Sequence, residues 1–241
     1  LSLGVMIDSY GERSLIYALL ITQLVIFFLA FILPEKKINF TKFNKRSIWP
    51  ILKQREVIML LLSCALMVSS HGLLYNFYSI FLEDHSYSGA TIGLLWSVGV
   101  VFEILIFLLM PKILSKFTLK SVLLISLAFA VLRFFLIGAY VDSILILIAA
   151  QIMHAATFGS FHVASIQLIA HFFYNEHQAR GQSLYNSITY GVGGAIGGLG
   201  GGYMIEYSGM ANTFMLSAIL PFVGFFVLLL GLKTKFKAEF K

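Results

Sequence analysis

The sequence is poor in charge, in cysteine and in proline. Only 12% of its residues are charged, about half the share typical of soluble domains, while 59% are hydrophobic. Cys64 is the single cysteine, which excludes a disulfide within the chain and a metal site built on cysteines. The amino end shows neither Met nor a basic region, so no signal peptide is expected.

Long apolar runs are what the sequence has in abundance. An α-helix needs ~20 mostly apolar residues to cross the hydrocarbon core of a bilayer. Seven runs approach or exceed this length, at 14–33, 57–82, 90–111, 119–141, 143–173, 183–205 and 211–232. Helices are predicted because open strands cannot satisfy their backbone hydrogen bonds in lipid. The predicted fold class is therefore an all-α, polytopic membrane helix bundle.

Basic residues are confined almost entirely to alternate connections between these runs. Fifteen of the seventeen lie there, at Lys36, Lys37, Lys42, Lys45, Arg46, Lys53, Arg55, Lys112, Lys116, Lys120, Arg180, Lys233, Lys235, Lys237 and Lys241. The other connections are acidic, with Arg13 as their one basic residue. Cytoplasmic loops are enriched in Lys and Arg, so we predict an inner (plasma) membrane protein with its amino end outside and its carboxyl end inside. This distribution also argues against a nucleic acid partner.

An octapeptide occurs twice in the chain. Gly4-Val-Met-Ile-Asp8-Ser-Tyr-Gly11 returns as Gly202-Tyr-Met-Ile-Glu206-Tyr-Ser-Gly209, and each copy precedes a span that runs inward. One class of transporters consists of two six-helix halves related by an axis normal to the membrane. On that plan, 1–33 ends helix five and forms helix six of an amino-terminal half, 34–56 is the cytoplasmic linker, and 57–241 is the carboxyl-terminal half, helices seven to twelve. The remainder of the amino-terminal half is then a missing partner.

Three segments resemble the major facilitator superfamily. The segment 95–107 (LWSVGVVFEILIF) is similar to helix eight of the 3-phenylpropionate/proton symporter branch, a neighbour of lactose permease and the nucleoside/proton symporters. Arg133 lies where such permeases place an arginine in helix nine, and 179–186 resembles their entry into helix eleven. Lactose permease couples proton to sugar through a His in helix ten and a Glu three residues later. Here His154 matches the His, but Thr157 stands at the Glu position.

The resemblance implies a major facilitator fold, made of the last helix of one half and the six helices of the other, and a function in transport. Ionisable residues at bilayer depth are costly and usually face a cavity, so they are functional candidates. Glu103 lies ~20 Å and Arg133 ~12 Å below the predicted outer surface, at 1.5 Å per residue. We expect Glu103 to carry a proton and Arg133 to bind an anion or take part in coupling; the alternative is a structural ion pair between neighbouring helices.

Histidines and aromatic residues extend this candidate site. A histidine can titrate near physiological pH, so His154 and His71 are predicted to share in proton coupling with Glu103, unless each merely bonds across helices. The eight-residue spacing of His154 and His162 argues against a zinc site. Helical spacing places several polar and aromatic side chains on the faces that carry these histidines. The predicted substrate-binding residues are Arg133, Tyr75, Tyr78, Gln151, Phe158 and Asn186.

A glycine-rich stretch follows in helix eleven. Gly193, Gly194, Gly197, Gly198, Gly201 and Gly202 form two interleaved series with a spacing of four. No G-x-G-x-x-G register fits and no strand precedes it, which argues against a phosphate-binding loop. Small residues at this spacing predict close packing of helices within the membrane.

These features favour a fragment of a secondary active transporter, a proton-coupled symporter of a small organic solute, with an aromatic or other carboxylate preferred. A sugar or nucleoside/proton symporter and a truncated, non-transporting remnant are the alternatives. An enzyme is not predicted, because the sequence shows no metal-ligand cluster, nucleophile elbow or phosphate motif. The expected partners are the lipid bilayer, the solute, the proton and the missing half; no cofactor or metal is expected.

Overall fold

The computed structural model describes residues 2–11, 13–32, 47–233 and 236, and all regular structure in these ranges is helical. The α-helices are α1 (Ser2–Tyr10), α2 (Arg13–Ile32), α3 (Trp49–Leu52), α4 (Arg55–Asp84), α5 (Gly89–Lys116), α6 (Leu119–Ala139), α7 (Ile144–His154), α8 (Phe161–Phe172), α9 (Gln178–Asn186), α10 (Gly194–Ser217) and α11 (Ile219–Gly231). The all-α prediction is confirmed. Most of the predicted linker, including its basic residues before 47, lies outside the described residues.

Six helical stretches in the described part of the chain are long and apolar enough to cross a membrane. The last of them, Asn175–Gly231, has 57 residues, more than twice the length that one crossing needs. Gly209 divides it, with a φ of 75° and a ψ of 164°. The two predicted spans 183–205 and 211–232 lie on either side of this break.

Two prolines modify the helix boundaries. Pro111 is the last residue of the predicted run 90–111, but α5 continues past it to Lys116. Pro221 lies within the predicted run 211–232; α11 begins at Ile219, so this proline lies in the first turn of a helix. The missing N–H of proline costs little there, because the first backbone N–H groups of a helix have no partner within it.

The two copies of the octapeptide share a backbone turn. Gly11 and Gly209 have φ values of 76° and 75°, a region that glycine adopts without steric cost. Each carbonyl accepts a hydrogen bond of 2.7 Å from a hydroxyl of the following helix, that of Ser14 and that of Thr213 respectively. A Cβ at either glycine would meet nothing within 4 Å, so the backbone conformation, rather than crowding, favours glycine here.

The helix α4 lies at the centre of the bundle, where it packs against α10, α11 and the stretch preceding α10. In its most apolar window 72% of the residues are buried, against 0% for α2. The side chains of α2 are hydrophobic on all sides and exposed, and α2 contacts mainly α1. Such a helix needs a lipid or protein surface around it.

One of the two glycine series lies against α4. A Cβ at Gly193 would be 2.7 Å from the carbonyl oxygen of Ala65, and one at Gly197 would overlap the carbonyl oxygen of Ser69. A Cβ at Gly201 would be 2.5 Å from a methyl group of Leu73. Only residues without a side chain allow this approach of the two backbones.

The second series packs less closely. A Cβ at Gly198 would be 3.0 Å from the amide nitrogen of Asn76, and one at Gly202 would be 3.3 Å from the ring of Phe77. A Cβ at Gly194 would meet nothing within 4 Å, although the carbonyl oxygen of Gly194 lies 2.8 Å from the position of a Cβ at Gly72. The two interleaved series therefore differ in how strongly they require glycine.

This difference predicts unequal effects of two matched substitutions in the full-length protein. Gly197→Ala should lower the midpoint of thermal unfolding in detergent by several degrees, because overpacking costs about 1–3 kcal/mol. Gly194→Ala should leave the midpoint unchanged or raise it slightly, since alanine is favoured over glycine in a helix by about 0.5–1 kcal/mol. Equal midpoints for the two variants would contradict the packing described for the first series.

Lys120 is buried, although it was counted above among the basic residues of the connections between spans. Its ammonium group donates hydrogen bonds to the carbonyl oxygens of Leu229, at 2.8 Å, and Leu232, at 2.5 Å. A cation is favourable at the carboxyl end of a helix, where carbonyl groups lack partners. Lys120 therefore ties the start of α6 to the end of α11.

Candidate solute and proton site

Two π-helical segments interrupt the membrane helices near the candidate residues. One, Ala155–Ser160, joins α7 to α8, and the other, Ser187–Gly193, joins α9 to α10. Such segments are rare and are often found at functional sites. Hydropathy does not reveal them, because an apolar segment scores the same in an α-helix and in a π-helix.

Arg133 is the centre of a buried polar network. Its Nε donates to the carbonyl oxygen of Ala150 at 2.8 Å, and its Nη2 donates to Oε1 of Gln151 at 3.3 Å. Nη1 lies 3.2 Å from the hydroxyl of Thr157 and 3.3 Å from Nε2 of His71. A guanidinium group carries five N–H donors, and these four contacts leave one N–H of Nη2 for another partner.

This network joins α4, α6, α7 and the first π-helical segment. The hydroxyl of Thr157 serves this network as an uncharged acceptor. No ion pair between Arg133 and Glu103 is present among the described side chains, so the alternative of a structural pair between these two residues finds no support. Arg133 is fully buried and holds helices together in addition to any role toward a solute.

The hydrogen bonds of His71 indicate its tautomer. Its Nδ1 lies 3.0 Å from the carbonyl oxygen of Met67. A carbonyl oxygen only accepts, so Nδ1 carries the hydrogen and Nε2 presents its lone pair to Arg133. A second proton on Nε2 would place two cations 3.3 Å apart in a buried site. His71 is therefore held as a neutral acceptor in this conformation, which suits it less to proton transfer than Glu103 or His154.

Glu103 and His154 form the closest acid–base pair of the site. The carboxylate oxygen Oε2 of Glu103 lies 3.8 Å from Nε2 of His154, and their side chains are only 18% and 7% exposed. This separation exceeds a direct hydrogen bond and is within reach of a bridging water. Glu103 sits in the middle of α5, whereas the other described carboxylates lie at or near helix ends or in loops.

Stacked rings line the site beside this pair. The rings of His154 and Phe158 stack at 5.3 Å, and those of Phe158 and His162 at 6.0 Å. Tyr75, partly exposed, stacks on Trp96 at 6.1 Å and meets Phe158 edge-on at 6.3 Å. Trp96 was not among the predicted site residues, although it lies in the segment that carries the family resemblance. Aromatic rings prefer such stacked and edge-to-face arrangements.

A second group of polar side chains lies closer to the predicted cytoplasmic side than the Glu103–His154 pair. The hydroxyl of Tyr190 is 2.8 Å from Nδ1 of His162. Tyr185 and Thr189 are fully buried, and their hydroxyls have no hydrogen-bond partner in the described part of the chain. The second π-helical segment, which lies within the predicted span 183–205, contributes Thr189 and Tyr190; neither was among the predicted site residues.

Unsatisfied polar atoms concentrate in this region. Of the six buried side-chain atoms without a partner among the described residues, five lie here: Tyr78 Oη, Gln151 Nε2, His154 Nδ1, Tyr185 Oη and Thr189 Oγ1. Each buried, unsatisfied group costs about 1–3 kcal/mol, so native proteins retain few of them. A site that receives water and the polar atoms of a ligand would satisfy such groups.

Most, but not all, of the predicted site residues meet in space. Arg133, His71 and Gln151 form one network, and Tyr75, Phe158, His154 and Glu103 adjoin it. Tyr78 is buried and packs edge-on against Trp96. Asn186 is exposed on α9, and none of the contacts that join the cluster involves it. Its inclusion in the site receives no support from these contacts.

Comparisons with known proteins place the sequence in a family. A family model described as the MFS_1 like family matches residues 1–216. The chain belongs to this family. The match confirms the resemblance to the major facilitator superfamily and indicates a transporter rather than an enzyme.

Two curated proteins are similar to the chain. A protein of Escherichia coli (strain K12) named probable 3-phenylpropionic acid transporter is 32% identical over 163 residues, which are 68% of this chain and 42% of that protein. A protein of Bacillus subtilis (strain 168) named uncharacterized transporter YwbF is 24% identical over 186 residues, which are 77% of this chain and 46% of that protein. The chain thus aligns with less than half the length of either relative.

Proposed function

We propose that this chain is the carboxyl-terminal part of a proton-coupled symporter, which carries a small organic solute across the inner membrane. The observation that carries the proposal is the Glu103–His154 pair, a carboxylate and an imidazole 3.8 Å apart in the middle of a membrane helix bundle. Charged groups at this depth are rarely retained without a function. The pair adjoins both the buried Arg133 network and the stacked rings, so a proton and a solute would bind next to each other.

The proposed solute is an aromatic or other carboxylate. The free N–H of Arg133 and the unsatisfied amide of Gln151 can donate to a carboxylate, while Tyr75, Trp96 and Phe158 can pack against a ring. The relative named for 3-phenylpropionic acid supports this class, since that acid combines a phenyl ring with a carboxylate. A sugar or a nucleoside also stacks and hydrogen-bonds, and is the alternative.

In the proposed cycle, Glu103 takes up a proton from the side to which the site is open. Neutralising this carboxylate removes a negative charge close to where the anionic solute binds. The two halves then rock around the site, and the proton leaves Glu103 toward the other side through His154 or water. His71, held as a neutral acceptor, keeps Arg133 oriented during this exchange.

Uptake by cells that express the full-length protein tests the proposal. Labelled 3-phenylpropionate should accumulate above the level in cells without the protein, and a protonophore should abolish the excess. The membrane potential and pH gradient supply the energy for this accumulation, so their collapse removes it. Excess accumulation that survives the protonophore would exclude proton coupling, and accumulation of labelled uridine or lactose alone would favour the alternative solutes. An upstream reading frame without further spans would favour a remnant.

We also propose the orientation predicted by the charges, with the connection between α4 and α5 outside. Ser86 is exposed in that connection, and Ser47 is exposed at the end of the linker. In the full-length protein with its other accessible cysteines replaced, Ser86→Cys should react in whole cells with an impermeant thiol reagent, and Ser47→Cys should react only after permeabilisation. Cys64 is buried and does not compete. The reverse pattern would invert the topology.

A further inference from the structure

Asp8 caps the amino end of a helix to which it is not joined in sequence. Its Oδ1 accepts the backbone N–H of Gly89 at 3.0 Å, and its Oδ2 accepts that of Ala90 at 2.8 Å. Ser88 caps the next free N–H, that of Thr91, from within α5. The first N–H groups of a helix have no partner within it, and a negative charge is favourable at that end. Both oxygens of one carboxylate are thus used to hold α1 against α5.

The internal repeat assigns a counterpart to this carboxylate. With Gly4 aligned to Gly202, Asp8 corresponds to Glu206, and the two copies end in the same glycine turn. Glu206 is exposed, and none of the described residues donates a hydrogen bond to its carboxylate. One copy of the repeat therefore has its helix partner in this structure and the other copy has none.

The axis that relates the two halves identifies the absent partner. It exchanges helix five with helix eleven, and helix eight with helix two. The end of helix five is α1, helix eight is α5, and helix eleven comprises α9 and the part of α10 before Gly209. We propose that in the full-length protein Glu206 caps the amino end of the second membrane helix of the amino-terminal half. The inference rests on the two-half architecture and is independent of which solute is transported.

The surface of helix eleven next to Glu206 also suits contact with the second membrane helix of the amino-terminal half. Val192, Ile196, Leu199 and Tyr203 are exposed along one face of helix eleven, with Leu199 exposed to 79%. A groove on this face is lined by Ser187, Gly191, Val192, Ala195, Ile196, Leu199 and Gly200. A Cβ at Gly191 or Gly200 would meet nothing within 4 Å, so these glycines are not required by packing within this half. Small residues in a groove allow a neighbouring helix to approach closely.

Both caps lie at the same end of the bundle, the predicted outer end. Each joins a helix of one half to a helix of the other. A movement that opens a passage between the halves at this end has to break both contacts. Asp8 and Glu206 would therefore both stabilise the conformation that is closed at the predicted outer end.

Disulfide cross-linking in the full-length protein tests the proposal. All native cysteines are replaced, and a protease site is inserted between residues 34 and 46 so that cleavage separates the halves. Asp8→Cys with Ala90→Cys is the reference pair, and Glu206→Cys is combined with a cysteine at the second residue of the second membrane helix. Leu216→Cys, exposed on α10 beyond the turn at Gly209, is combined with the same helix-two cysteine as the control.

Oxidation should keep the halves together after cleavage for the Asp8 pair and for the Glu206 pair, and should leave the Leu216 pair separate. Failure of the Glu206 pair would overturn the proposal, and so would failure of the Asp8 pair, from which the inference is drawn. Reaction of Leu199→Cys with a lipid-soluble thiol reagent in intact membranes would overturn the helix assignment of the groove in favour of lipid. Cross-linking needs no transport, so a failed uptake assay leaves its result unaffected.

Discussion

Glu103→Gln in the full-length protein is expected to abolish accumulation of the solute against its gradient while solute exchange continues. Glutamine keeps the size of the side chain and its capacity to hydrogen-bond, but it cannot bind and release a proton. The contact with His154 at 3.8 Å can therefore persist without proton transfer. Accumulation driven by a pH gradient and counterflow of labelled solute, measured in the same proteoliposomes, separate coupling from binding.

Glu83→Gln is the matched control for this experiment, since Glu83 is exposed near the carboxyl end of α4. It should retain both accumulation and counterflow. Undiminished accumulation by Glu103→Gln would exclude Glu103 as the proton carrier and leave it a structural residue of α5. Loss of counterflow together with accumulation would instead show that the carboxylate is needed for binding.

Arg133→Lys is expected to weaken solute binding about tenfold or more and to lower thermal stability. A lysine ammonium has three donors at one point, whereas the Arg133 fork reaches acceptors on α4, α7 and the first π-helical segment. Lysine cannot contact all of them, and each buried acceptor left unsatisfied costs about 1–3 kcal/mol. Solute-dependent shifts of the unfolding midpoint in detergent measure both effects in one experiment.

The control is Arg55→Lys, because Arg55 is exposed at the start of α4. It should leave the midpoint and the solute-dependent shift unchanged. If Arg133→Lys lowered the midpoint but bound the solute normally, Arg133 would be structural only. An unchanged midpoint would contradict the network described around the guanidinium group.

The agreement between the sequence and the fold has a simple cause. In lipid, the backbone N–H and C=O groups of each span must be paired within one continuous apolar helix. A run of apolar residues of sufficient length therefore locates each helix. The predicted end of α5 was less accurate. The apolar run ends at Pro111, whereas α5 tolerates this proline within its last turns and continues to Lys116. The turn at Gly209 lies between the predicted spans 183–205 and 211–232, and its positive φ matches that of Gly11, the last residue of the other copy of the octapeptide.

Several residues of the candidate cluster were selected from the sequence, but the contacts between them were not predictable from it. Glu103 and Arg133 stand out in any apolar sequence, yet pairing them with each other was the natural alternative, and the structure places Glu103 beside His154 instead. Trp96 and Tyr190 were not selected, because an aromatic residue is as common in lipid contact as in a binding site. Their roles depend on which neighbouring helix each one faces.

The sequence by itself determined the positions and apolar lengths of the spans, because these follow from local composition; the direction of the spans is a prediction from the charges between them. Only the tertiary structure decided which polar atoms meet: four hydrogen bonds at Arg133, the tautomer of His71, and the carboxylate of Asp8 at the start of α5. These contacts join residues that are distant in the chain. Their geometry depends on helix rotation and on π-helical insertions, and a hydropathy pattern carries no information on either.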